Sequence, residues 1–346
     1  MTHSQHSSPE HDADADADAD ATSNRILMAL RAALRAAGSS TVSIFIDPTL
    51  ADPLMVNELV RDALITGQAL RICLPRIHDD IDPDTTPYLL HVQHELSAER
   101  VVSASVARAA LEAHQRSADQ LLGRCVCAWI IGESNPHELA GRLASAARII
   151  RPDGGFWYLR FWDPRVIWHL PRVLSAADWG DLQSQLGSWW TLNPLLQFAT
   201  VCSPGTPPDV ALSSAQSPGH AAQLRRLSID EHTWEQLSLV GRINQVLALA
   251  WDWGVLPTAG NAKRIQLMLQ RCQALGFESE QDSLVFAATA LTSHDAFDQH
   301  PQVTAALENA RAADLPVSAA MAEFDESFWA ELATGRWLTK HRQSAA

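Results

Sequence analysis

Apolar positions along the 346-residue chain change period several times. From Arg25 to Ala37 they recur at helical spacing and stop at Gly38, a residue that tolerates the backbone of a helix end. Val42 to Asp47 (VSIFID) then predicts a strand, Leu54 to Ile65 a helix, and Leu70 to Leu74 a strand closed by Pro75. A polar, proline-broken stretch from Asp79 to Pro87 reads as a loop. Ser103 to Leu122 predicts a helix, Cys125 to Ile131 a strand, and Pro136 to Ile150 a helix entered through Asn135 as its cap. After the Asp153-Gly154-Gly155 turn, Phe156 to Trp162 (FWYLRFW) predicts another strand. Strands alternating with helices of this length predict a mixed α/β lobe over residues 25–202.

Two segments break the pattern. His11 to Ala21 is an Asp-Ala alternation with nothing large to bury, so residues 1–24 read as a disordered acidic tail. A metal-binding role for its His and Asp residues is the weaker alternative. Residues 203–224 are rich in Pro and Ser and read as a linker. Beyond it the period is helical throughout. Ser228-Ile229-Asp230-Glu231 fits a capping box, with Ser228 as the cap. Helices are expected over Asp230–Trp253, Ala262–Leu275, Gln281–Thr292, Pro301–Ala313 and Ser318–Thr334. Residues 225–336 therefore read as an all-helical lobe, and 337–346 as a tail.

Charge narrows the function classes. The chain has 40 Asp and Glu against 26 Lys and Arg, a formal net charge of -14. Residues 1–24 supply six of the acids and no base, leaving 34 acids against 26 bases. Neither balance offers the basic face that displaces counterions from nucleic acid or docks on an anionic membrane. No apolar run reaches the roughly 18 residues of a membrane span, and the first 24 residues lack the basic and apolar regions of a signal peptide. The five cysteines (73, 125, 127, 202 and 272) are odd in number and scattered, which predicts free thiols in a reducing cytoplasm.

Catalytic signatures are absent from the sequence. It has neither a phosphate-cradling G-x-x-x-x-G-K-[ST] loop nor a G-x-G-x-x-G after a strand. Gly132-Glu133-Ser134-Asn135-Pro136 begins like a nucleophile elbow, but Pro136 replaces its second glycine; a capped strand-to-helix turn is the better reading. His91, His94 and Glu95 stand at helical spacing without a zinc-protease order, and a solvated polar face is preferred to a metal site. Cys125 and Cys127 are expected to share one strand face as small buried residues, since two thiols cannot complete a zinc site. No metal or cofactor is expected. A hydrolase using His91, His94 or Ser134 stays as an alternative.

The densest signal is Phe156 to Asn193, which holds six of the 12 tryptophans. Its strand ends at Asp163, whose carboxylate is placed to cap a helix beginning at Pro164. Arg160 and Arg165 flank that corner. Arg165 lies at the unfavourable end of the helix dipole and needs a carboxylate, either Asp163 or one from a partner. Val166, Ile167, Leu170, Val173 and Leu174 give the helix an apolar face, and Asp178 opens a further turn. Most of these aromatics are expected in the core. Arg160, Trp162, Asp163, Arg165 and Trp168 are the candidates for partner binding, because Trp and Arg dominate protein interfaces. A sugar-stacking platform is a further alternative.

Arg160-Phe161-Trp162-Asp163-Pro164-Arg165 resembles the hallmark of the adaptor and effector-chaperone proteins of bacterial type VI secretion. Further matching pieces are Ile44-Phe45-Ile46-Asp47, Pro87-Tyr88-Leu89, Ala128-Trp129-Ile130 and the closing Leu186-Gly187-Ser188-Trp189-Trp190. The resemblance covers about residues 40–192. It departs at Asp47-Pro48, where the family often has Asp-Ala. It implies a non-enzymatic cytoplasmic protein that binds a toxin effector and helps to load it onto the VgrG spike. The α/β lobe would be the shared scaffold and the helical lobe the source of cargo specificity.

Overall fold

The structure, a computed structural model, describes residues 9–49, 52–75, 82, 85–93, 96–114, 124–133, 135–201 and 226–338. The chain divides into two units, Met1–Gln236 and Leu237–Ala346. As the residue pattern predicts, the first is mixed α/β and helices dominate the second.

In the first unit, helix α1 (Pro9–Ala37) leads into β1 (Thr41–Ile46), α2 (Glu58–Ile65), β2 (Ala69–Cys73), β3 (Tyr88–Gln93), α3 (Leu96–His114) and β4 (Val126–Ile131). There follow α4 (Pro136–Ala146), β5 (Arg148–Ile150), β6 (Phe156–Tyr158), the single turns α5 (Pro164–Ile167) and α6 (Leu170–Val173), α7 (Ala176–Leu186), β7 (Ser188–Leu192) and β8 (Phe198–Thr200). Six strands form one sheet in the order β2-β3-β1-β4-β7-β8, and every neighbouring pair is antiparallel. Strands β5 and β6 form a separate ribbon.

Strand β4 is apolar and buried at every position, as expected of a strand covered on both faces. On one face, Ile26, Leu30 and Leu34 of α1, Val60 of α2 and Val102 and Val106 of α3 join Ile44, Leu90, Trp129 and Ile131 in one core. The Trp129 indole N–H donates to Ser105 Oγ at 3.0 Å, so its polar atom is satisfied inside that core. The other face carries Phe45 in ring contact with both Trp162 and Trp189.

Several expectations change. Residues 9–24, placed in the disordered tail, continue α1 instead; every second residue of the Asp-Ala run is the best helix former, and Ala19, Thr22 and Ser23 are buried. Residues 1–8 and the linker 203–224 lie outside the described residues. Strand β3 takes Tyr88 to Gln93, where helical spacing was considered. The helix expected to reach Ile150 stops at Ala146 and gives way to β5. Cys125 and Cys127 part company because β4 has one extra residue opposite Phe45 and Ile46, a bulge that breaks the alternation. Cys125 joins the helix-covered core, and Cys127 lies outside that cluster.

The second unit contains most of α8 (Glu231–Ala250), then α9 (Ala259–Ala274), α10 (Glu280–Thr292), α11 (Pro301–Ala312), α12 (Val317–Met321) and α13 (Glu326–Ala333). Asp230, not Ser228, caps α8, accepting from the Thr233 amide at 2.8 Å. Asp282 Oδ1 accepts from Val317 N at 2.6 Å and so ties α10 to α12. Trp337, assigned to the tail by its position, is buried and donates to Leu332 O. No described helix is long and apolar enough to cross a membrane.

Leu30, 1% exposed, tests whether α1 belongs to the core. Leu30→Ala is expected to cost about 2–5 kcal/mol, measured by urea denaturation followed by circular dichroism. A loss below about 0.5 kcal/mol, typical of surface positions, would show that α1 is peripheral.

Candidate functional site

The corner begins with a carboxylate that the sequence does not connect to it. Asp47 follows β1, and its amide donates to Cys125 O at 2.8 Å, fixing it at the sheet end. The Asp47 side chain is 0% exposed. Its Oδ2 accepts from Arg160 Nε at 3.2 Å, from Arg160 Nη2 at 2.7 Å and from the Trp162 indole at 2.7 Å. Its Oδ1 accepts from the Thr49 amide and hydroxyl. One buried charge thus receives five hydrogen bonds, and a carboxylate leaves water only on such terms.

Asp163 forms the second half. It caps α5 by accepting from Arg165 N at 2.9 Å, while Arg165 Nε and Nη2 donate to its two oxygens at 3.1 and 2.8 Å. Of the two carboxylates open to Arg165, the local one takes it. Burial pushes the Asp163 carboxyl up, but the adjacent guanidinium, these hydrogen bonds and Arg160 outweigh it and hold the group below the usual carboxylate range. Arg124 stands nearby, held by Leu192 O at 2.8 Å, and burial followed by repulsion from Arg165 lowers its pKa to about 10.

Aromatic rings hold the corner in place. Phe45 stacks on Trp162 at 5.0 Å, and Phe161 meets both Trp162 and Trp189. Trp189 and Trp190 insert on opposite sides of the sheet, as strand period requires; Trp190 stacks on Phe198 at 5.3 Å. Gly187, with φ 70 and ψ -153, makes the α7–β7 turn in a region that side-chain-bearing residues avoid. This accounts for the glycine in Leu186-Gly187-Ser188-Trp189-Trp190.

The five candidate binding residues therefore separate. Trp162 and Asp163 are interior, because their polar atoms are committed to Asp47 and Arg165. Arg160, Arg165 and Trp168 remain partly exposed. The expected helix from Pro164 is two single turns, α5 and α6, and Trp168 closes the first. There it packs edge-on against His169 and under the guanidinium of Arg172. Sequence reasoning missed Asp47 as the ligand of Arg160 and Trp162; its one signal was an acid ending a hydrophobic strand.

A family model described as "Domain of unknown function (DUF4123)" matches residues 76–181. No curated protein and no solved structure matches the chain. The matched span includes β3, β4 and the whole Asp163-Pro164-Arg165 corner. It leaves out Asp47, which the fold brings to the corner from 113 residues before Arg160.

Of the residues considered for catalysis, only His91 lies among the described residues. His91 is buried in β3, where Ser43 Oγ lies 2.9 Å from its Nδ1, and burial lowers its pKa. His94, Glu95 and Ser134 lie outside the described residues. Among the described residues no three His, Cys, Asp or Glu side chains converge as a metal site. Burial raises the thiol pKa of Cys125 and Cys127, so they stay protonated and behave as small core residues.

Asp47→Ala strips the partner from Arg160 and Trp162 and is expected to cost about 3–5 kcal/mol in urea denaturation. Asp163 gives a pH signature. Its folded pKa is depressed, so its contribution is complete above the unfolded value of about 3.9 and disappears as pH falls through the folded value. The stability gap between wild type and Asp163→Asn should be full at neutral pH and shrink below about pH 4. A gap independent of pH would show that the Asp163–Arg165 pair contributes nothing.

Proposed function

We propose that this protein is a non-enzymatic adaptor that binds a type VI secretion toxin effector in the cytoplasm and helps to load it onto the VgrG spike. The observation that carries this reading is the DUF4123 match over residues 76–181, with the Asp163-Pro164-Arg165 corner inside it. Domains of this kind occur in effector chaperones and adaptors of type VI secretion.

The chemistry required is recognition, with no bond made or broken. The pairs Asp47–Arg160 and Asp163–Arg165, each with a buried carboxylate, fix the corner before any partner arrives. A preformed surface loses little conformational entropy on binding. Arg160, Arg165 and Trp168 form its solvent-facing part, while Trp162 and Asp163 support it from within. The helical unit is assigned the cargo-specific contacts.

Co-expression with the polypeptide of the adjacent reading frame is expected to yield a co-purifying complex and more of that polypeptide. Unchanged yield, together with unchanged VgrG association in cells lacking this protein, would overturn the proposal. Trp168→Ala is expected to weaken capture by about 10-fold or more, read by biolayer interferometry, without changing the melting temperature. Full binding by the folded variant would return Trp168 to a packing role.

A further inference from the structure

The arginines around the corner are treated unequally. Arg160 and Arg165 each meet a buried carboxylate. Arg172, on α6, meets none among the described residues, although the chain carries 40 acids. Its guanidinium carbon lies 4.1 Å from the centre of the Trp168 ring, and its Nη2 donates to Trp168 O at 2.6 Å. Partial burial lowers its pKa.

This placement has a physical cost and an evident use. An exposed arginine ordinarily keeps its rotamer freedom and its full hydration. Arg172 is exposed, yet one face of its guanidinium rests on an indole and one N–H is donated to a backbone carbonyl. These two contacts orient the guanidinium and leave its remaining N–H donors facing solvent. Stacking on an aromatic ring and paired donation to a planar acceptor are what distinguish a guanidinium from an ammonium. The complementary acceptor is a carboxylate, bound through charge-assisted hydrogen bonds.

We propose that the Trp168–Arg172 shelf receives an Asp or Glu side chain of the cargo protein, so that the cargo segment seated beside the Asp163-Pro164-Arg165 corner is acidic. This rests on the adaptor reading of the same surface and adds the chemistry of its partner. Arg172 then supplies the attraction and Trp168 positions it, while Arg160 and Arg165 are already committed to Asp47 and Asp163.

The test measures the affinity of the full-length protein for the polypeptide encoded by the adjacent reading frame, at low and at moderate salt. Arg172→Glu is expected to weaken binding by about 30-fold or more and Arg172→Ala by about 10-fold. Arg172→Lys is expected to lose about 5-fold, since it keeps the charge without the stacked fork. The salt dependence of binding should flatten in Arg172→Ala. A basic substitution at one acidic cargo residue should restore binding to Arg172→Glu. If wild type binds while folded Arg172→Glu binds within about twofold of it, with the same salt dependence, the acidic-cargo inference is overturned and the adaptor reading stands. Loss in Arg172→Glu without any change of salt slope in Arg172→Ala would also overturn it, indicating a steric effect. If wild type captures nothing, the adaptor reading fails, and the inference with it.

Discussion

The first unit is organised around a charge that has been taken out of water. Asp47 ends the central strand β1 with a side chain that no solvent reaches, so the surrounding chain must replace its hydration completely. Arg160 and Trp162 do so from one side, and Thr49 from its own turn. Because two of those donors lie more than 100 residues along the chain, satisfying Asp47 fixes where the Phe156–Trp162 segment crosses the sheet end. The Asp163–Arg165 pair follows immediately and inherits its position from that crossing.

Aromatic packing and ionic pairing are interdependent here. Trp162 stacks on Phe45 while its indole N–H is bound to Asp47, so one side chain serves both the apolar layer and the polar network. Phe161 and Trp189 extend the layer, and both carboxylates are buried. Exclusion of water strengthens the ion pairs and makes them costly to leave unpaired.

Much of the fold was legible in residue pattern. The switch from mixed to helical periods, the apolar strands β1 and β4, the cap at Asn135 and the cap at Asp163 follow from local chemistry and are found in place. The errors arose where tertiary pairing overrides local preference. HVQHE is polar enough to suggest a helix face, yet His91 is buried in β3 because Ser43 on the neighbouring strand accommodates its ring nitrogen. The bulge that separates Cys125 from Cys127 is a property of the β1–β4 pair, not of either strand alone. The helix over Pro136–Ile150 ends early because Arg148–Ile150 pairs with β6.

The same distinction runs through the candidate site. The sequence by itself determined that a capped turn follows Asp163, that Arg165 needs a carboxylate, and that tryptophans concentrate around this corner, since each of these depends on neighbours within a few residues. Only the tertiary structure decided that Asp47 is the partner of Arg160 and Trp162, that Trp162 and Asp163 face inward, and that Arg172 rests on Trp168 with no carboxylate partner among the described residues. Local sequence fixes which groups need a partner; which groups are near enough to serve, and which are left facing water, depends on how distant segments close around one another.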